Sequence, residues 1–275
     1  MLSLRPSRIP LASGRNSVHN RETKGDQIMN FVVSGKTALV TGANRGIGKA
    51  IVLSLLQHGA ARVYAAVRDP SSTRELEASA PGQVLPIRID LTQPDTIHAA
   101  AAQHTDVQLL INNAGILQPA RLLDPEAITA LQKELDVNVF GMLRIVQAFA
   151  PVLAKNGGGA FVQINSIVSI KNFPDFATYC ASKAASYSLT QALRSLLRAQ
   201  GTHVVSVHPG PIKTDMAVAA GLAEGAEPPE NVAEAIVEAL AQGWFHLFPD
   251  KFARDLATTY RPFAHGVVEA EVAEG

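Results

Sequence analysis

The residues best suited to chemistry stand at 179–183, YCASK, where a phenol and an ammonium are four places apart. On a helix two such positions share one face, so Tyr179 and Lys183 come within a few ångströms of each other. A free phenol titrates near about 10, too high for ready proton exchange at neutral pH. An adjacent cation favours the phenolate and is expected to lower that value. The pair therefore suits delivery of a proton to an oxygen, or its removal. A chance surface pair has the same spacing, so the rest of the chain has to supply a setting.

The setting begins with TGANRGIG at 41–48, between a short apolar run and a helical one. Gly42 lets the chain leave a strand sharply, Gly46 lets backbone approach a phosphate, and Gly48 lets the following helix pack closely on a sheet. The free N–H groups at that helix start favour an anion. Asn44, Arg45 and Ile47, which fill the turn, are expected with the glycines among the dinucleotide contacts. A P-loop is excluded, because Ala50 follows Lys49 where a magnesium-binding Ser or Thr is required.

The run RVYAAV at 62–67 selects the dinucleotide. An acid at the end of this second strand would take the ribose 2′-hydroxyl of NAD, whereas an arginine suits the 2′-phosphate of NADP. Val67 holds the acid position and Arg68 follows it, with Arg45 placed to close from the other side. Guanidinium geometry matches phosphate oxygens, so NADP(H) is expected. The competing arrangement has Asp69 folded back to the ribose and Arg68 paired with it.

Positioning these groups takes a scaffold, and the chain alternates short β-rich runs with longer helical ones. The strands are expected at 37–41, 62–67, 83–89, 107–113, 159–166 and 203–210, and the helices at 49–59, 135–155, 178–200 and 231–242. That alternation predicts an α/β fold, a doubly wound parallel sheet with helices on both faces, as one domain over 29–275. Residues 211–230, small and Pro-broken, are expected to form a loop or lid, and the tail from Trp244 carries little pattern. Residues 1–28 are expected to be a disordered extension, with Met29 a second candidate start.

Bulk properties agree with a single soluble enzyme domain. Of 275 residues 47% are hydrophobic, and Lys plus Arg balances Asp plus Glu at 24 each, so no overall field points to nucleic acid or to an anionic membrane. The imbalance is local: five basic groups against two acids in residues 1–28, and ten acids against three basic groups in residues 217–275. Cys180 is the one cysteine, which rules out an internal disulfide and fits a reducing, cytoplasmic setting. No apolar run is expected to reach the ~20 residues that cross a bilayer.

TGxxxGxG, NNAG at 112–115 and YxxxK occur in that order, and from Lys36 to Met216 the chain resembles the short-chain dehydrogenase/reductase family. The resemblance implies an active serine 13 residues before the tyrosine, at Ser166, and a helix asparagine at Asn138. It makes Tyr179 the general acid in reduction and base in oxidation, and has Lys183 also hold the nicotinamide ribose. Asn138 would fix a water that links the lysine to solvent. Asp90 and Leu91 would meet the adenine, and Asn112 or Asn113 would border its ribose while bracing the sheet. Pro209, Gly210, Ile212 and Thr214 would lie along the nicotinamide. For Asp90 a turn cap is the alternative. His208 and Cys180 are expected to be satisfied interior groups, not reactive ones.

The implied activity is hydride transfer between nicotinamide and a small carbonyl or secondary alcohol, by a homodimer or homotetramer. Ile167, Val168, Phe173, Phe176 and Met216 would form an apolar substrate pocket or else core, and Lys171 and Lys213 are the nearby cations. A non-catalytic NADP sensor is the rival, and a Ser/Lys hydrolase is disfavoured because no G-x-S-x-G elbow is present.

Overall fold

The apolar runs form one parallel sheet of seven strands in a computed structural model, which describes residues 29–270. The strands are β1 (Thr37–Thr41), β2 (Arg62–Val67), β3 (Val84–Arg88), β4 (Leu109–Asn112), β5 (Ala160–Ile164), β6 (His203–Val207) and β7 (His246–Leu247). Their order is β3-β2-β1-β4-β5-β6-β7. Every residue of β1, β4, β5 and β6 is buried. Central strands covered on both faces need continuous apolar sequence, and TALVT, LLIN and AFVQI supply it.

The helices are α1 (Gly46–Gln57), α2 (Arg74–Ser79), α3 (Pro94–Gln103), α4 (Ala127–Leu135), α5 (Gly141–Lys155), α6 (Ala177–Arg198), α7 (Asp215–Ala219), α8 (Pro229–Gln242) and α9 (Lys251–Phe263). Val40, Val63 and Val162 of the sheet pack with Ile51 and Leu55 of α1 and with Val232 and Ile236 of α8. On the opposite face Leu39, Leu110 and Phe161 pack with Ile97 of α3, Ile145 and Phe149 of α5, and Leu197 of α6. The connections diverge between β1 and β4, so the crevice for a ligand opens at the carboxyl ends of those strands.

Three features differ from expectation. The helix expected at 135–155 begins at Ala127 and is interrupted by a π turn at Asp136–Phe140 that carries Asn138. The helical run Ala127–Lys155 is, by length and composition, long and apolar enough to cross a bilayer, although half of its most apolar window is buried inside the protein. The amphipathic packing of α5 into the core is what makes it so apolar. The weakly patterned tail forms β7, α9 and a second π turn at Ala264–Val268. Within 211–230 lie α7 and a parallel bridge between Ile212 and Glu227. The expectation for residues 1–28 falls outside the described residues.

Candidate active site

The turn from β1 into α1 is built by exclusion of side chains. Gly42 has φ 64°, and a Cβ on Gly48 would lie 2.1 Å from the Gly42 carbonyl oxygen. A Cβ on Gly46 would come 3.0 Å from Cγ2 of Thr214, so the glycine turn and the segment after β6 meet. Arg45, at the N-cap of α1, forms an exposed ion pair with Asp215, Nη1 to Oδ2 at 2.7 Å. Asn44 and Ile47 are both half-buried beside it.

At the end of β2, Arg68 is exposed. Asp69 caps the next turn, its carboxylate accepting from the Ser71 N–H (3.0 Å) and Oγ (2.8 Å), and Ser71 holds it below the usual carboxylate range. Asp69 is thus bonded to its own turn, and among the described residues it makes no ion pair with Arg68. Asp90 accepts from the Thr92 N–H (2.9 Å) and Oγ1 (2.8 Å), the turn-capping alternative. Burial works to raise this carboxyl, but Thr92 and the nearby Arg68 and Arg88 outweigh it and leave the group lowered. Leu91 is buried against Gly141, and its carbonyl accepts from Arg144 Nη1 at 2.9 Å.

Asn112 takes up the bracing role expected of it. Its side chain is 1% exposed and accepts from Thr41 Oγ1 (3.1 Å) while donating to Gln163 Oε1 (2.8 Å). It braces three adjacent strands. Asn113, half-buried, donates to the Thr41 carbonyl (2.9 Å) and holds the glycine turn in place.

The four groups expected to do chemistry come from two helices and one strand end. Lys183 Nζ lies 5.8 Å from the centre of the Tyr179 ring and donates to the Ile164 carbonyl at 2.9 Å. Asn138 accepts from the Ile116 N–H and donates to the Ile116 carbonyl, both at 2.9 Å. Gly115 leaves room between them, since a Cβ there would stand 3.5 Å from Lys183 Nζ and 3.1 Å from Asn138 Oδ1. Ser166, two residues beyond β5, caps the short turn Ile167–Ser169 that packs on α6 and donates to the Pro209 carbonyl at 3.2 Å. Gly210 and Ile212 follow, Ile212 buried and bridged to Glu227. Thr214 caps α7.

The electrostatics reverse one expectation. Burial raises the Tyr179 hydroxyl above its ordinary value, and the charges of Glu134 and Cys180 add to this, so a lowered phenol is not what the fold alone produces. Desolvation prevails over a cation on the ring face. Burial also lowers the Lys183 amine, to about 8, which keeps it mostly protonated at neutral pH. His208 is held neutral, lowered to about 3 by burial, with Ser169 and Ser206 on its two ring nitrogens. Cys180 is buried and its thiol raised by burial.

The profile of the short chain dehydrogenases matches residues 36–225. The chain belongs to that family. It is 34% identical over 185 residues to D-erythrulose reductase of Gallus gallus, covering 66% of this chain and 73% of the relative. It is 28% identical over 233 residues to the NADP-dependent 3-hydroxy acid dehydrogenase of Schizosaccharomyces pombe, covering 76% and 88%. A crystal structure of a short chain dehydrogenase from Burkholderia cenocepacia in complex with NADP superposes with a TM-score of 0.77 at 33% identity, covering 87% of this chain and 99% of the other.

Within this short-chain dehydrogenase two residues of the site had escaped the sequence. Asp250, 1% exposed, accepts from the Gly210 N–H (2.6 Å) and caps α9 through the Ala253 N–H (2.9 Å). A Cβ on Gly210 would lie 2.7 Å from its Oδ1, so the Pro209-Gly210 turn and α9 are fitted to each other. Glu134, fully buried on α4, faces the first turn of α6. The pattern LFPDK at 247–251 was a capping signal for the first; nothing in a helical QKEL marks the second as interior.

Proposed function

We propose that this short-chain dehydrogenase is an NADP(H)-dependent oxidoreductase that interconverts small neutral or apolar carbonyls and alcohols. The observation that carries the proposal is the placement of the Lys183 ammonium on the Tyr179 ring, at the mouth of the crevice where the glycine turn lies. The glycine turn and the N-terminus of α1 would hold the pyrophosphate, Arg68 and Arg45 the 2′-phosphate, and Lys183 the nicotinamide ribose. When bound, the nicotinamide supplies or accepts the hydride. Tyr179 gives its hydroxyl proton to the developing alkoxide in reduction and takes it back in oxidation. Ser166 donates a hydrogen bond to the same oxygen, and Asn138, held by the Ile116 peptide and bonded to Ser182 beside Lys183, would fix a water that links the lysine to solvent.

Arg68 unpaired with Asp69 supports NADP(H) over NAD(H), as does the cofactor named for the fission-yeast relative and the Burkholderia structure. The erythrulose reductase relative supports a small uncharged carbonyl. Val168 and Phe173, half-buried on the core of Ile167, Phe248 and Ala253, and Met216, 39% exposed, would border the substrate. Exposed Ile128 and Phe140 along the α4–α5 run support a homodimer or homotetramer, and the buried lone cysteine a cytoplasmic setting.

The test is thermal stabilisation by NADPH and NADH at matched concentration, then NADPH oxidation with a panel of carbonyls. Greater stabilisation by NADPH is expected. Tyr179→Phe should keep that stabilisation and lose at least about a hundredfold in turnover. Equal turnover in the variant, or turnover confined to charged or thioester-linked carbonyls, would overturn the donor or the substrate class respectively.

A further inference from the structure

The run carrying Asn138 meets α6 in a sequence of polar contacts one turn apart. Asn138 Nδ2 donates to Ser182 Oγ at 3.0 Å, and the Ser186 hydroxyl meets Met142 Sδ at 3.5 Å. One turn towards the start of both helices, the corresponding pair is Glu134 and Thr178. Glu134 is 0% exposed. Its Oε1 accepts from the Gln118 N–H at 2.8 Å, in the loop that leaves β4. Its Oε2 and the Thr178 hydroxyl are both buried and face each other without a close hydrogen bond.

A carboxyl in that place needs a reason, because a buried group with an unmatched oxygen is destabilising and a glutamine would hold Gln118 equally well. The neighbour that gives it one is Tyr179, next in sequence to Thr178. We propose that Glu134 is a positioning residue for proton transfer: its carboxyl, seated in the α4–α6 seam ahead of Asn138, sets the pH at which the Tyr179 hydroxyl yields its proton. This rests on Tyr179 being the proton donor.

Glu134 exchanges no proton with the substrate. In alcohol oxidation the Tyr179 phenolate takes the hydroxyl proton, and in reduction the phenol returns it; Glu134 acts only by its charge. The titratable groups facing it are Tyr179 and Cys180 of α6, and Gln118 contributes a backbone N–H. Arg121 of the same loop is engaged elsewhere, in an exposed pair with Asp175 at 2.7 Å. Burial raises the Glu134 carboxyl, opposed by Gln118 and Thr178, and its negative charge in turn raises Tyr179. An ionised Glu134 therefore retains the phenol's proton to higher pH, which favours the reductive direction.

The experiment compares the parent with E134Q and E134D by two readouts. One is the ultraviolet phenolate titration of the protein, with the Tyr179→Phe trace subtracted; the other is the pH profile of kcat/KM for NADP⁺-dependent alcohol oxidation. E134Q keeps the Gln118 contact and removes the charge, so both midpoints should move to lower pH by at least about half a unit, or about threefold in proton affinity. E134D withdraws the charge by one methylene and should move them less, in the same direction, and it serves alone if E134Q does not fold. Unmoved midpoints in the folded variants would overturn the proposal. Because the phenolate titration needs no turnover, it is separate from the Tyr179→Phe test of the donor itself.

Discussion

The two ends of the crevice are built on opposite plans. At the proposed adenine end the surface is backbone and exposed cations: a turn from which side chains are excluded, Arg68 at a strand end, and Arg45 in a solvent-facing ion pair. At the nicotinamide end it is interior: Lys183 is 4% exposed, Asn138 2%, and both are fixed by peptide groups of neighbouring elements. Exposed charges are screened and tune affinity. Buried ones shift their own titration and carry the packing with them. Cofactor choice should therefore be adjustable by single substitutions, whereas the chemical end should respond as a unit.

The largest expected effect is at the one position of the adenine end that is sterically closed. Gly48→Ala places a methyl 2.1 Å from the Gly42 carbonyl, and loss of all NADPH-induced thermal stabilisation is expected. Retained stabilisation would mean that the turn is more pliable than its contacts indicate. Next is the support of the nicotinamide end: Asp250→Ala leaves the Gly210 and Ala253 N–H groups unmatched and should cost about 2 kcal/mol, read as a lower denaturation midpoint.

A pH profile sharpens the contrast. The Lys183 amine, lowered to about 8, is a cation below that pH and neutral above it. Its support of the phenol is thus present at neutral pH, and kcat/KM for carbonyl reduction should fall as pH rises through about 8. A profile flat to pH 10, as an unperturbed lysine would give, contradicts the burial argument. The smallest effects belong to the exposed cations. Arg68→Ala should weaken NADPH about tenfold and leave NADH nearly unchanged, and Asp215→Asn, which releases Arg45, should tighten NADPH by about twofold at low salt. An equal loss of NADH affinity in Arg68→Ala would remove the 2′-phosphate assignment.

Much of this was legible in the chain because the readable signals are local. The first six strands appear where continuous β-rich runs stand, and β1 and β2 have the expected bounds. The glycine turn and the Tyr179–Lys183 spacing are equally local. What stayed hidden depends on distant partners or on a slip that leaves composition unchanged. The π turn at Asp136–Phe140 alters hydrogen bonding without altering the apolar pattern. Glu134 lies in a charged stretch that reads as solvated surface, and only the docking of α6 buries it. The partners of Asn112 stayed hidden too, because the Thr41 and Gln163 side chains that hold it come from separate strands. The strand β7 has two residues, too short for any periodicity.

The π turn also sets how tolerant this seam can be to change in length. An α-helix advances about 100° per residue, so losing Asp136 or Val137 would turn Glu134 about 100° against Asn138. Either the carboxyl or the amide would then leave α6 altogether. Substitutions can retune that face, but a lost residue would uncouple the proton donor's neighbour from the lysine's support.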